Sequence, residues 1–284
     1  MRFVVFSNLY IAIGATLLAR SSYVLLGQQP RWGALAGLVF CSTLVVYNLD
    51  RLVSASREDT VEGSKRHLWI QRHKTGLWCL VGAAVAGAIA SALFLSTEVW
   101  MALAPLGVLS LAYSLPVLLG REGGFRLKDV PGLKIFVIAS VWAGATALLP
   151  AVDAGMEILD LDVALVAVER FLFIFAITLP FDVRDLERDA SAGIETIPML
   201  VGARQTRHLA TGLALLFGTV CLWHYGVALE GFGIPTATFA VVVALILVFS
   251  DRQRPEMYYV GLLDGTMLLH WLAVAGWQLL VPAG

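Results

Sequence analysis

The sequence predicts an all-α membrane protein: a bundle of about nine transmembrane helices with its N-terminus in the cytoplasm. Three observations carry that expectation. Of 284 residues, 58% are hydrophobic and 14% charged, against roughly a quarter charged in an ordinary soluble domain, and the mean hydropathy is +0.79. The apolar residues fall into runs of about 20, the length a helix needs to cross roughly 30 Å of hydrocarbon. The basic residues are unevenly placed, with seventeen of the twenty on one side once the runs are threaded back and forth, as the positive-inside rule requires.

The first run, residues 3–27, is too long for the apolar part of a signal peptide and lacks a small-residue cleavage site, so it reads as a retained helix. The others span residues 32–49, 75–96, 98–119, 133–151, 162–181, 207–229, 233–250 and 257–281. The third and fourth divide at Ser96 and Thr97, because one span cannot absorb over 40 apolar residues. Arg2 and the loops after the second, fourth, sixth and eighth helices hold the basic majority. Arg20, Arg31 and Arg170 lie toward the other face, beside Asp153, Glu157, Asp160, Asp162 and Glu230. The expectation is one polytopic domain over residues 1–284, in a bacterial inner membrane or its equivalent, with the long loops cytoplasmic. A net charge of −1 gives no basic patch for nucleic acid. Cys41, Cys79 and Cys221 sit inside apolar runs, where a thiol acts as a small hydrophobe.

The two longest cytoplasmic loops begin with carboxylates. After the sixth helix the chain reads Leu179-Pro180-Phe181-Asp182-Val183-Arg184-Asp185-Leu186-Glu187-Arg188-Asp189. Spacings of three and four put Asp182, Asp185 and Asp189 on one helical face, where like charges repel unless a cation sits among them. A hard divalent cation such as Mg²⁺ suits oxygen ligands, and it prefers one or two carboxylates completed by phosphate oxygens. That implies a diphosphate substrate. The alternative is a solvated helix end with Arg184 and Arg188 as surface partners.

This segment resembles the second aspartate-rich motif of the UbiA superfamily of intramembrane prenyltransferases, D-x-x-D-x-x-x-D followed by a glycine and T-[LI]-P. Gly193, Thr196, Ile197 and Pro198 stand in register with it. After the second helix, Tyr47-Asn48-Leu49-Asp50-Arg51 is similar to the family's first motif in Asp50 alone. Val46, Tyr47 and Ser54 occupy positions where the family carries Asn, Asp and Asp. Asn48 lies two residues before Asp50, within reach of a metal or serving as a helix cap. Tyr113-Ser114-Leu115-Pro116, with Arg126, Lys128 and Lys134 beyond it, resembles a third family segment that contributes to the diphosphate pocket.

The resemblance implies Mg²⁺-dependent transfer of a prenyl group from a prenyl diphosphate to a lipophilic acceptor, an aromatic ring first among the candidates. Asp182, Asp185, Asp189, Asp50 and Asn48 would hold the metal, with Asp185, Asp189 and Asp50 catalytic. Arg51, Tyr113, Ser114, Arg126, Lys128 and Lys134 would bind the diphosphate. The depleted first motif leaves two other readings open: a non-catalytic bundle binding a lipid or partner, and a terpene cyclase of the same superfamily. A transporter ranks lowest, since no inverted repeat is visible.

Charges inside the spans must face the bundle interior, because an unpaired one costs several kcal/mol. Asp264 lies about 10 Å into the last helix, where it either orients a polar group of the site or bonds to a neighbouring helix. Glu169 and Arg170 lie roughly 18 Å from Asp182 and are expected to pair locally. His224 and His270 read as core imidazoles.

Overall fold

The computed structural model describes residues 2–57, 65–114, 130, 132–191, 193–227, 231–250 and 254–280. Among the described residues every predicted apolar run is largely helical, and no strand occurs. The first run is α1 (Arg2–Phe6) and α2 (Leu9–Leu25); α3 (Ala34–Arg57) and α5 (Lys74–Ala92) flank the short α4 (Lys65–Arg72), and α6 (Thr97–Ser114) follows. The fifth run is α7 (Leu133–Ala143), a π-helical turn over Gly144–Leu148 and α8 (Leu149–Asp153). Next come α9 (Leu161–Arg184), the short α10 (Leu186–Ser191) and α11 (Ile197–Val201), α12 (Ala203–Tyr225) and α13 (Gly233–Val248). The last run is a π-helical turn, Tyr258–Leu263, leading into α14 (Asp264–Leu280).

Five of these stretches are long and apolar enough to cross a membrane, among them Leu133–Asp153, Leu161–Arg184 and Tyr258–Leu280. The surface is what a bilayer-embedded bundle needs: Phe94, Leu93, Leu159 and Trp223 are among many large apolar side chains left exposed, which water would not tolerate in such number.

The first predicted span is not one helix. Asn8 takes a left-handed backbone conformation, φ 61°, and separates α1 from α2. Its side-chain amide donates to the Asn48 carbonyl oxygen at 3.0 Å, while Asn48 donates to the backbone oxygens of Ser7 and Leu44. These bonds dock the break onto α3. An apolar run says nothing about a single residue leaving the helical region, so the break is invisible to hydropathy.

Helix α12 lies between α13 and α9, α14 packs on α2, and α3 packs on α5. The largest core cluster includes Phe173, Phe217 and Phe239, which surround His270. The α12–α13 seam is tight because Gly218 meets α13 at Ala237 and Ala240. Glu169 and Arg170 pair with distant helices and not locally: Glu169 accepts from His224 at 2.7 Å and Tyr225 at 2.9 Å, and Arg170 donates to Ser21 and Ser22 at 3.0 Å. These bonds tie α9 to α12 and α2 where apolar packing alone has little directionality.

A Cβ at Gly218 would lie 2.7 Å from that of Ala240, whereas nothing stands within 4 Å of one at Gly212 in the same helix. Gly218→Val should therefore lower stability by about 1–3 kcal/mol. Gly212→Ala should be neutral or slightly stabilising. Thermal unfolding of both variants in detergent tests the seam.

Candidate functional site

The second acid motif becomes a site because of how its chain reverses. Helix α9 ends at Arg184, Asp185 caps it with its N–H bonded to the Phe181 oxygen, and α10 resumes the helical path, Asp189 N–H bonding to the Asp185 oxygen at 2.8 Å. Gly193 then adopts φ 70°, a conformation glycine reaches without strain, and Ile194 N–H returns to the Asp189 oxygen. Pro198 sits in the first turn of α11, where its missing N–H costs nothing. The same loop receives α7: Gly132, at φ 69° before that helix, donates its N–H to the Glu195 oxygen at 3.1 Å. Lys134 follows two residues later and therefore lies against the acids.

The Lys134 ammonium bridges Asp182 Oδ1 at 2.9 Å and Asp189 Oδ2 at 3.0 Å. Both carboxylates are buried, and the spacing of seven does put them on one side. Asp185 turns elsewhere: its two oxygens take a bidentate pair of hydrogen bonds from Arg184, at 2.8 and 2.7 Å, with Arg188 at 3.6 Å. The three acids thus do not converge as the spacing predicts, because the helix breaks at Asp185 and each carboxylate already has a cation of the chain. Burial pushes the Asp185 carboxyl up, but the hydrogen bonds and charge of Arg184, aided by Arg188 and Arg51, outweigh it and hold the group below the ordinary carboxylate value.

These residues rim a cavity of about 190 Å³. Asp50, Asp182, Asp185 and Asp264 line it as acids, and Arg51, Lys134, Arg184 and Arg188 as bases, so its described charged lining is balanced. Most of the remaining wall is apolar, with Ile11, Ile138, Ile174 and Met267, and Asn8 and Thr178 add polar groups to it. Tyr47 and Trp142 also line it, joined by a hydrogen bond from the indole N–H to the phenol oxygen at 3.2 Å and by an edge-to-face contact. Asp264 reaches the cavity from the start of α14, directly after the π-helical turn. Tyr10 donates to the Gly261 oxygen and packs on Gly265, holding that turn against α2.

Asp50, Arg51, Lys134, Asp182, Asp185 and Asp264 are thus brought to one cavity, and Asp189 adjoins it through Lys134. Tyr113 stands within electrostatic reach of Lys134, Asp50, Asp182 and Asp189. Asn48 is a correction: it is absent from the cavity wall, its carbonyl accepting from Asn8 and its amide bonded to two backbone oxygens, while Asn8 takes the place on the wall. Its polar type pointed to a ligand, but its partner 40 residues away could not be read from spacing. The Ser114 side chain, Arg126 and Lys128 lie outside the described residues. Sequence reasoning missed the Tyr47–Trp142 pair and gave Arg184 and Arg188 a part only in its alternative reading, as surface partners. Their one signal was their placement on either side of Asp185.

A divalent cation is compatible with this donor set only in part. Among the described residues no group of three or more acids, histidines or cysteines is arranged to hold a metal. Two buried carboxylates sharing one ammonium nevertheless form a site for a hard cation, and Mg²⁺ characteristically uses one or two carboxylates and takes its remaining ligands from phosphate and water.

The UbiA prenyltransferase family matches residues 70–260 of the chain. Digeranylgeranylglyceryl phosphate synthase of Methanoculleus marisnigri is 32% identical over 124 residues, 44% of this chain and 43% of that protein. The Haloquadratum walsbyi protein of the same name is 26% identical over 129 residues, 45% of this chain and 44% of its own length. The alignments therefore span less than half of each curated relative. Among solved structures, a UbiA homolog from Archaeoglobus fulgidus bound to GPP and Mg²⁺ superposes with a TM-score of 0.67 at 14% identity, over 98% of this chain and 99% of that one. The apo UbiA homolog from Aeropyrum pernix gives 0.57 at 18%, over 99% and 98%.

The depressed Asp185 carboxyl makes a pH prediction. Its stabilising contribution should be fully present above the ordinary carboxylate pKa of about 4 and disappear as pH falls through its lower folded value. The difference in thermal stability between wild type and Asp185→Asn should be flat from neutral pH to about pH 5 and close under stronger acid. Melting in detergent across that range checks it.

Proposed function

The chain belongs to the UbiA prenyltransferase family, and from that premise we propose that it transfers a prenyl group from a prenyl diphosphate to a lipophilic acceptor, with Mg²⁺, at the acid-lined end of the bundle. The observation that carries this reading is a single cavity lined both by ionic groups and by aromatic and aliphatic side chains. Such a cavity suits an amphiphile with a charged head and an isoprenoid tail. Asp50 and Asp185 face the same cavity from α3 and from the end of α9, which supports a working site over a degenerate bundle.

Asp182 and Asp189, with Asp50 and Asp185 beside them, are the residues to hold the metal. Bound there, Mg²⁺ neutralises diphosphate charge and improves the leaving group. Arg51, Lys134, Arg184 and Arg188 hold the diphosphate oxygens, the arginines through paired N–H groups matched to phosphate. Fixed positive charge stabilises the diphosphate as the bond from prenyl C1 to oxygen breaks. Tyr47 and Trp142 present aromatic surface to the allylic cation left behind, an interaction that strengthens in a site shielded from water. An aromatic acceptor supplied from the bilayer then attacks that carbon through a ring carbon, and the proton on that ring carbon passes to the released diphosphate or water, which restores the ring. The acid-lined end is assigned to the cytoplasmic side, where the basic loops cluster.

Diphosphate release from geranyl, farnesyl and geranylgeranyl diphosphates, with and without Mg²⁺, tests the proposal. Wild type in nanodiscs should release diphosphate only with the metal. Asp185→Asn and Asp50→Asn should each slow release by about 100-fold or more, as loss of one electrostatic group at a reacting centre does. A wild type that neither releases diphosphate nor binds any prenyl diphosphate would overturn the reading in favour of a non-catalytic lipid-binding bundle. Release without acceptor, accompanied by a cyclic hydrocarbon product, would favour a cyclase.

A further inference from the structure

In the free protein the carboxylates that would meet a metal are already occupied. Asp182 and Asp189 share the Lys134 ammonium at 2.9 and 3.0 Å, with side chains 2% and 7% exposed and that of Lys134 19%. Asp185 is held by both donor groups of Arg184. Charge-assisted bonds of this kind are stronger than neutral ones, and breaking one partner away leaves the other charge buried and uncompensated. A divalent cation arriving alone must displace the ammonium, and the displaced ammonium would then face a cavity whose described acids and bases are already in balance. A diphosphate arriving alone would find Lys134, Arg184 and Arg188 engaged by carboxylates. Metal and diphosphate together remove both penalties, since the metal takes the carboxylates and the phosphate oxygens take Lys134 and Arg184.

We propose that Lys134 is the resident cation of the free site and couples metal to diphosphate: it holds Asp182 and Asp189 until both ligands are present, then passes to the phosphate. The inference rests on the prenyl diphosphate reading and adds to it a role for Lys134 in the empty site. Lys134 is a positioning residue in the free state and a substrate-binding residue in the loaded one. The exchange moves no bond or electron; it reassigns three charges among fixed partners. By reciprocity, whatever factor diphosphate adds to metal affinity, the metal adds to diphosphate affinity.

The test is a binding cycle with Mn²⁺, whose free ion is counted by electron paramagnetic resonance, on the full chain in nanodiscs. Wild type should bind Mn²⁺ at least tenfold more tightly with inorganic diphosphate than without it. Lys134→Met removes the competing ammonium, so Mn²⁺ alone should bind at least tenfold more tightly than to wild type, and the coupling should shrink to what direct contact between metal and diphosphate supplies. Lys134→Arg keeps the charge and should keep the coupling. Equal Mn²⁺ affinity with and without diphosphate in wild type would overturn the inference, and that comparison stands even if the methionine variant does not fold. Unchanged Mn²⁺ affinity in a folded Lys134→Met would overturn it as well. Geranyl diphosphate binding at saturating Mg²⁺ separates this failure from failure of the function: a wild type that binds the prenyl diphosphate without coupling loses only the role of Lys134, whereas one that binds none loses both.

Discussion

The bridge from Lys134 to Asp182 and Asp189 is the contact around which the acidic end of the bundle is organised. It joins α7 to the end of α9 and to α10, which are separated by a helix, a loop and about 50 residues of chain. It is possible only because Gly132 and Gly193 both take positive φ and the Gly132 N–H closes on the Glu195 oxygen. Two buried carboxylates seven residues apart would repel each other in a low-dielectric setting, where Coulomb energies rise steeply. One ammonium between them removes the conflict, and it does so with a group that can leave when a better set of charges arrives.

The same rule governs the other polar groups in the bundle. Glu169 with His224 and Tyr225, and Arg170 with Ser21 and Ser22, are paired deep among apolar helices. They lie away from the cavity and serve to fix how α9, α12 and α2 meet. The Asn8–Asn48 bond does this for α2 and α3. Charge at the cavity is different in kind. It is balanced yet faces open space, so its partners can be exchanged, whereas Glu169 and Arg170 do not line that cavity.

Tyr47 clarifies the depleted first motif. The family places an acid there, and this chain places a phenol that joins Trp142 on the apolar wall. A carboxylate at that point would add negative charge beside Trp142, while the aromatic pair adds apolar surface to the cavity. The first motif therefore contributes Asp50 and Arg51 to the ionic rim and Tyr47 to the apolar wall. On the proposed function, this arrangement would move the balance of metal ligation toward the second motif.

How much of this was legible in the sequence follows from the range of each force. Hydropathy and the placement of Lys and Arg are local properties summed over about 20 residues, so the helical runs could be read directly from the chain, whereas Asp50 and Asp182, expected in loops, lie inside α3 and α9. The spacing of Asp182 and Asp189 is equally local, and it correctly put them on one side. Asp185 departed from that face because its nearest cation, Arg184, is its chain neighbour and wins the geometry once α9 ends. Asn48 as a buried link, Tyr47 against Trp142, and Lys134 as the partner of two acids each depend on groups 40 to 95 residues away. Residue type and period establish which residues can carry charge or line a helix face. Only tertiary structure decides which opposite charge each one meets, because in a bilayer that choice is made by desolvation and by the few backbone reversals that bring distant helices into contact.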